Sequence, residues 1–228
     1  MYQLYIANKN YSSWSLRPWV LLQALDIPFE ETLVPFSPGI TQPAFKTFSP
    51  SGKVPCLVDG ALTVWDSLAI VEYLAERHEG VWPEDAAARA WARCASAEMH
   101  SGFSTLREVC GLNCGIRVKL HEFTPALQRD IERLNQLWEE GLTRFKGPFL
   151  AGAQFSAVDA FYAPVIFRVQ TYGLPLTPLA KQYYATLLSL PALQEWQEQA
   201  RLEPWREPQH ESTWAEYGKL EQDERKAD

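Results

Sequence analysis

The chain has 228 residues, 46% of them hydrophobic and 21% charged, with 21 basic residues against 28 acidic for a net charge of −7. These proportions exclude a disordered, collagenous or coiled-coil chain, and the length suits one large or two small domains. The acidic balance gives no electrostatic reason to expect nucleic acid or a membrane surface as partner, and no apolar run approaches the ~18 residues that span a bilayer.

The N-terminus alternates like a strand over residues 4–7 and lacks the basic segment and cleavage site of a signal peptide, so a cytoplasmic address is expected. A Ser/Asn-rich turn follows over residues 8–13. Leu16, Val20, Ala24 and Leu25 then recur at helical spacing. Pro18 suits the first helical turn, where a missing N–H costs nothing, and this places the helix start near Ser15. Ser12 and Ser13 then lie in the loop just before it. Hydroxyls there stand beside free N–H groups and the positive end of a helix dipole, which suit an anion; the simpler alternative is that both serines cap and turn the chain.

Residues 29–34 read as a second strand. Pro35, Pro38, Pro43 and Pro50 then leave room only for a short helix around residues 42–47. Strands over 54–58 and 62–65 flank Asp59-Gly60, a type I′ hairpin signal. Pro55 cannot donate to a ladder, so it is either trans on an edge strand or cis, with the Val54 backbone turned outward toward an extended peptide. Asp66 or Ser67 caps a helix carrying Leu68, Ile70, Val71 and Leu74. Beyond capping, Ser67 can hold a carboxylate and Asp66 an ammonium, the pair that an α-amino acid head group needs. The order β-α-β-α-β-β-α predicts a mixed four-stranded sheet built from a parallel βαβ unit and an antiparallel hairpin.

From Ala86 onward the pattern is helical and no strand is predicted. The helices are expected over 86 to about 115, 125–145, 156–172, 178–188 and 191–202; the last two open on Pro, as a first turn allows. Residues 79–85 read as a linker. After Pro204 the chain turns polar, with Trp205 and Trp214 as anchors and the last dozen residues frayed. The expected division is a sheet domain over 1–80, an all-α domain over 86–203 and a polar tail over 204–228. Cys56, Cys94, Cys110 and Cys114 share no metal-ligand spacing with the four histidines, so buried free thiols are expected, with no zinc site and no disulfide.

The serine loop Tyr11-Ser12-Ser13-Trp14-Ser15, the Val54-Pro55 opening of strand three and the Asp66-Ser67 start of helix three, set in a β-α-β-α-β-β-α unit, closely resemble the thioredoxin-like domain of cytosolic glutathione S-transferases. The second half resembles their all-helical domain. There, Phe149-Leu150-Ala151-Gly152 followed by Ser156-Ala157-Val158-Asp159 is similar to the family's capping box in the core helix. The resemblance covers about residues 1–203. It implies glutathione as co-substrate, with its cysteinyl backbone on Val54, its γ-glutamyl end on Asp66 and Ser67, and Lys53 near the glycyl carboxylate.

The loop is most similar to the serine-type theta and zeta classes. This implies that Ser12, or Ser13 one residue on, donates a hydrogen bond to the sulfur. The implied activity is conjugation of glutathione to a small electrophile by a cytoplasmic homodimer with a detoxifying role. No cysteine precedes Cys56, which argues against the mixed-disulfide chemistry of omega-class relatives. The resemblance also places Trp14, Met99, Phe103 and Arg107 as candidates for the electrophile pocket. Met99, Phe103 and Arg107 stand at i, i+4, i+8, with helix-core packing as the competing reading, and the Arg107 charge suits an anionic acceptor. The zeta signature Ser-Ser-Cys-Ser-Trp-Arg is not matched, since Trp14 and Leu16 replace its Cys and Trp. That departure favours conjugation over isomerisation of the maleylacetoacetate type. A non-catalytic binding or interaction module is the remaining alternative.

Overall fold

Four short strands, β1 (Tyr2–Ile6), β2 (Phe29–Leu33), β3 (Cys56–Asp59) and β4 (Leu62–Trp65), form the mixed sheet that their spacing predicts, and they lie in the order β2-β1-β3-β4. The computed structural model describes residues 1–39 and 41–226. Strand β1 pairs parallel with β2 across α1 (Ser13–Ala24), and antiparallel with β3, which turns into β4. Helix α2 (Ser67–Ala75) follows. Apolar side chains of β1, β3, α1 and α2 fill the space between them, with Leu4, Ile6, Leu57, Ile70 and Leu74 fully buried. The hairpin turn is Gly60-Ala61, closed by the Asp59–Leu62 pair, and Gly60 has φ +58 while Ala61 does not share the positive φ. A type I′ turn needs both, so the expected turn type is not the one formed.

The helical half comprises α3 (Ala86–Ser101), α4 (Ser104–Val109), α5 (Pro125–Phe145), α6 (Ala157–Tyr172), α7 (Pro178–Leu188), α8 (Pro191–Leu202) and α9 (Pro208–Tyr217). Helix α6 is apolar all round and almost wholly buried, as a helix at the centre of a bundle must be. Its N-terminus carries the capping box. The Asp159 carboxylate accepts from the Ser156 N–H at 3.0 Å, and also from the Leu150 N–H and the Tyr183 hydroxyl, each at 3.0 Å. Helix α6 packs on α1 of the sheet domain, so one buried helix joins both cores.

Six expectations need correction. The helix expected from 86 to about 115 ends at Ser101, because Gly102 follows and Phe103 takes a left-handed φ of +52. A Cβ at Gly102 would stand 2.8 Å from the Glu98 carbonyl oxygen, so this close approach selects glycine. The helical half also contains strands: β5 (Ile116–Leu120) pairs antiparallel with β6 (Gly218–Asp223). Residues 116, 118 and 120 are buried while 117 and 119 face outward, a period of two that the helical reading passed over. The C-terminal residues up to 226 are therefore not frayed, since α9 and β6 fold back on the body, and the last two residues of the expected frayed end lie outside the described residues. Trp214 packs against the core, but Trp205 is exposed and anchors nothing. Helix α1 begins at Ser13, so Pro18 lies inside it rather than in the first turn. All four cysteines are free, yet Cys94 is exposed rather than buried.

The loop between β1 and α1 is held from the far domain. Glu203, at the end of α8, is buried and accepts from the backbone N–H of Lys9 at 2.6 Å and of Asn10 at 3.1 Å. The Trp196 indole donates to the Lys9 carbonyl at 2.9 Å, and the Asn10 amide oxygen accepts from the Cys114 N–H at 2.9 Å. Burial pushes the Glu203 carboxyl up to about 7, against the two N–H bonds that favour its charge. The folded state therefore binds a proton that the unfolded chain has already lost, and stability falls as pH rises from about 4.5 through about 7. Denaturant unfolding should show the wild type losing about 1 kcal/mol between pH 6 and pH 8 relative to Glu203→Gln. Parallel pH dependence in the two proteins would refute this assignment.

Candidate active site

Two adjoining cavities, of about 700 Å³ and about 440 Å³, form one groove along the C-terminal end of β1, the start of β3 and the start of α2. Ser12, Ser13, Lys53, Val54 and Arg107 line the larger one. Asp66 and Ser67 line the smaller one, and Trp14, Lys53 and Val54 are common to both. Eight of the ten residues proposed from the sequence thus meet in the groove, with Trp14 as a wall shared by both cavities. Met99 and Phe103 do not: they are 1% and 6% exposed and belong to the hydrophobic core, and the break at Gly102 ends the helical face they were expected to share with Arg107.

Ser12 is the N-cap of α1. Its hydroxyl accepts from the Ser15 N–H at 3.4 Å and donates to the Ser15 Oγ at 2.7 Å, which in turn accepts from the Ala7 N–H at 3.2 Å. The cap and turn reading is therefore true of Ser12, and the anion reading stands beside it. Ser13 is the first residue of the helix, half-buried and facing the groove. The free N–H groups of the first helical turn and two hydroxyls converge where an anion is favoured.

The Val54-Pro55 bond is cis, and Val54 stands outside the ladder, which begins at Cys56. Lys53 and Lys46 are exposed at the same rim, around Gly52 with its φ of +65. At the other end Asp66 caps α2, accepting from the Leu68 N–H at 2.8 Å in a conformation (φ +74) unusual for aspartate. Its second oxygen is 3.5 Å from the His100 Nε2 of α3. Ser67 is buried and accepts from an Arg17 Nη1 at 3.4 Å, which leaves the serine proton free to donate toward the groove.

Arg17 and His100 were not visible as site residues in the sequence. Arg17 is 1% exposed, its guanidinium carbon 4.1 Å from the Trp14 ring centroid and 4.9 Å from that of Phe161. Burial, with Arg107 and Arg168 nearby, pulls its pKa down to about 9, so it remains a cation at neutral pH. An arginine on the inward face of an apolar helix was the available signal.

The C-terminal segment supplies the remaining wall. His210 and Thr213 of α9 line the larger cavity, and the His210 ring lies 5.1 Å from the rings of both Tyr11 and Phe36. Tyr11 donates to Glu211 at 2.7 Å, and Arg225, its side chain 4% exposed, pairs with both Glu211 and Asp223. Burial and Glu211 hold the Tyr11 phenol well above its ordinary pKa, so it stays a donor. Among the described residues no group of three or more His, Cys, Asp and Glu side chains is placed to hold a metal ion, and no helix is long and apolar enough to cross a membrane. The groove offers a hydroxyl and helix N-terminus for one anion, Ser67 for a carboxylate and Asp66 for an ammonium.

Residues 11–77 match the family model of the glutathione S-transferase N-terminal domain, and residues 117–199 match that of the C-terminal domain. The chain is 31% identical over 156 residues to a probable maleylacetoacetate isomerase of Vibrio cholerae, covering 65% of this chain and 72% of that one. It is 47% identical over 58 residues to the dichloromethane dehalogenase of Methylorubrum extorquens, but that match spans only 25% of this chain and 20% of the dehalogenase. A glutathione transferase homolog from Burkholderia gl BGR1, solved with bound glutathione, superposes with a TM-score of 0.65 at 24% identity, covering 88% of this chain and 98% of that one. At that identity the likeness is one of fold.

Removing the Arg225 side chain leaves Glu211 half-buried without its cation. Arg225→Ala should lose about 1–3 kcal/mol of stability and expose the segment after Arg206 to trypsin before the body unfolds. Unchanged stability together with an unchanged digestion pattern would contradict the clamp.

Proposed function

This chain belongs to the glutathione S-transferase family, and we propose that it binds glutathione along the groove and conjugates its sulfur to a small electrophile. The single observation that carries the reading is that Ser12, Val54 and Asp66-Ser67 line two adjoining cavities of one groove. Asp66 takes the γ-glutamyl ammonium and Ser67 its carboxylate, with Arg17 bonded to the Ser67 oxygen so that the serine proton points outward. The Val54 backbone pairs with the cysteinyl unit, and Lys53 lies near the glycyl carboxylate.

The sulfur then falls at the start of α1. Ser12 donates to the thiolate, and the contact with Ser15 reverses, so that the Ser15 hydroxyl donates to Ser12 while still accepting from Ala7. No proton leaves either serine; their bonds and the helix dipole favour the charged sulfur over the thiol. Each pKa unit of lowering corresponds to about 1.4 kcal/mol. The thiolate attacks the electrophilic carbon, the new C–S bond forms as the leaving group departs with its electron pair, and the thiol proton passes to solvent. The cytoplasmic address, the homodimer and a detoxifying role belong to the same proposal.

A second reading is supported by the similarity to a probable maleylacetoacetate isomerase. There the same thiolate would add to a cis double bond and leave again after rotation. The two differ in bookkeeping of the thiol: conjugation consumes glutathione, and isomerisation returns it. Against a dinitro-activated aryl chloride, Ser12→Ala should lose roughly 10- to 100-fold in kcat/KM, more at pH 6.5 than at pH 8.5 because its bound thiol has a higher pKa. Loss in Ser13→Ala with Ser12→Ala intact would move the role to Ser13, and failure of the wild type to bind millimolar glutathione would remove both readings. Asp66→Asn keeps the helix cap, so it should raise KM for glutathione several-fold with little change in Tm; an unchanged KM would free Asp66 of its role.

A further inference from the structure

The helical wall of the groove holds two cations outside any ion pair. Arg168 of α6 is 4% exposed and lines the larger cavity; one of its amino groups donates to the Cys110 carbonyl, and its Nε has no hydrogen-bond partner. Arg107 of α4, half-buried on the same wall, donates to the His100 carbonyl at 3.0 Å and stands 5.2 Å from the Trp14 ring centroid. Among the described residues neither forms an ion pair, whereas Arg225 pairs with Glu211 and Asp223 and Lys9 with Glu31; the third buried guanidinium without an ion pair, Arg17, lies between the Trp14 and Phe161 rings. The carboxylate on this wall is Glu108, which is exposed. Burying a guanidinium without a counter-charge costs several kcal/mol, so a retained unpaired pair facing a cavity calls for an anion from outside.

We propose that the second substrate is itself an anion, an electrophile bearing a carboxylate that Arg168 and Arg107 receive while its reactive carbon faces Ser12. The planar guanidinium of Arg168 matches a carboxylate through two parallel N–H donors, and Arg107 adds a second positive charge beside it. Both come from the helical domain, across the groove from Lys53 and Val54, so the carboxylate they bind is not the glycyl end of glutathione. This inference rests on the transferase reading and narrows its substrate class.

The test compares 4-chloro-3,5-dinitrobenzoate with its neutral carboxamide. In each, the thiolate displaces chloride from the ring carbon; chloride leaves with the bonding pair and the thiol proton passes to solvent. After division by the uncatalysed rate with glutathione, the wild type should favour the carboxylate by about tenfold or more in kcat/KM. Arg107→Gln and Arg168→Met should each lower that ratio about tenfold, by raising the acceptor KM rather than the glutathione KM. Should Arg168→Met fail to fold, Arg107→Gln and the wild-type ratio still decide. A normalised wild-type ratio near one overturns the inference and leaves the transferase reading intact, because both acceptors are then conjugated. A rise in glutathione KM instead of acceptor KM also overturns it, assigning the arginines to the tripeptide. Absence of conjugation with either acceptor, together with absence of glutathione binding, removes both readings.

Discussion

A single buried carboxylate sets the geometry of the groove. Glu203 lies at the end of α8, far along the chain from the first domain, and its two oxygens accept the consecutive N–H groups of Lys9 and Asn10. Those groups point inward, where an unpaired amide would be expensive, and no sheet or helix partner is available to a loop. Once they are fixed, the Asn8 carbonyl accepts from Tyr11 and Ser12, the chain turns into α1, and the Ser12 hydroxyl arrives at its cap position. The helical domain is thus a scaffold for chemistry carried by the sheet domain, and the two halves cannot be understood separately.

Charge follows the same economy. The chain is acidic overall, yet its groove is lined by cations and by the ends of helices. Lys9 has Glu31 close by, and Arg225 has Glu211. Behind the groove Arg17 is stacked between aromatic rings, and on its wall Arg168 is left with an idle donor. Net charge was therefore a poor guide to the ligand. The field that matters is local, held in a partly desolvated cleft where each charge counts for more than it would in water.

The sheet domain was legible because its signals are short-range. Alternation marked the strands, Asp59-Gly60 marked the hairpin, and Asp66 with Ser67 marked a helix start at the groove. What the sequence hid depends on distant partners. Strand β6 has little burial of its own apart from Gly218 and exists because β5 offers it a ladder about a hundred residues earlier in the chain. The Gly102 break is a close backbone approach, which periodicity averages away, and it took Met99 and Phe103 out of the groove. His210 and Thr213 reach the cavity on a helix held by Arg225 and Tyr11 on Glu211, tertiary contacts without a local motif. Arg17 was hidden for a different reason: it sits among apolar neighbours, and its meaning comes from Ser67 of its own domain and His100 across the domain boundary.

The central claim is that the start of α1 makes a thiolate of bound glutathione. The direct measurement is a pH titration of the thiolate absorbance of glutathione bound to the wild-type protein, against free glutathione under the same conditions. A cysteinyl thiol free in solution titrates near ~8.5, and the hydroxyl at Ser12 with the helix N-terminus should lower the bound thiol by about one unit or more. Saturable binding with a thiol that titrates as it does in free solution would contradict the account.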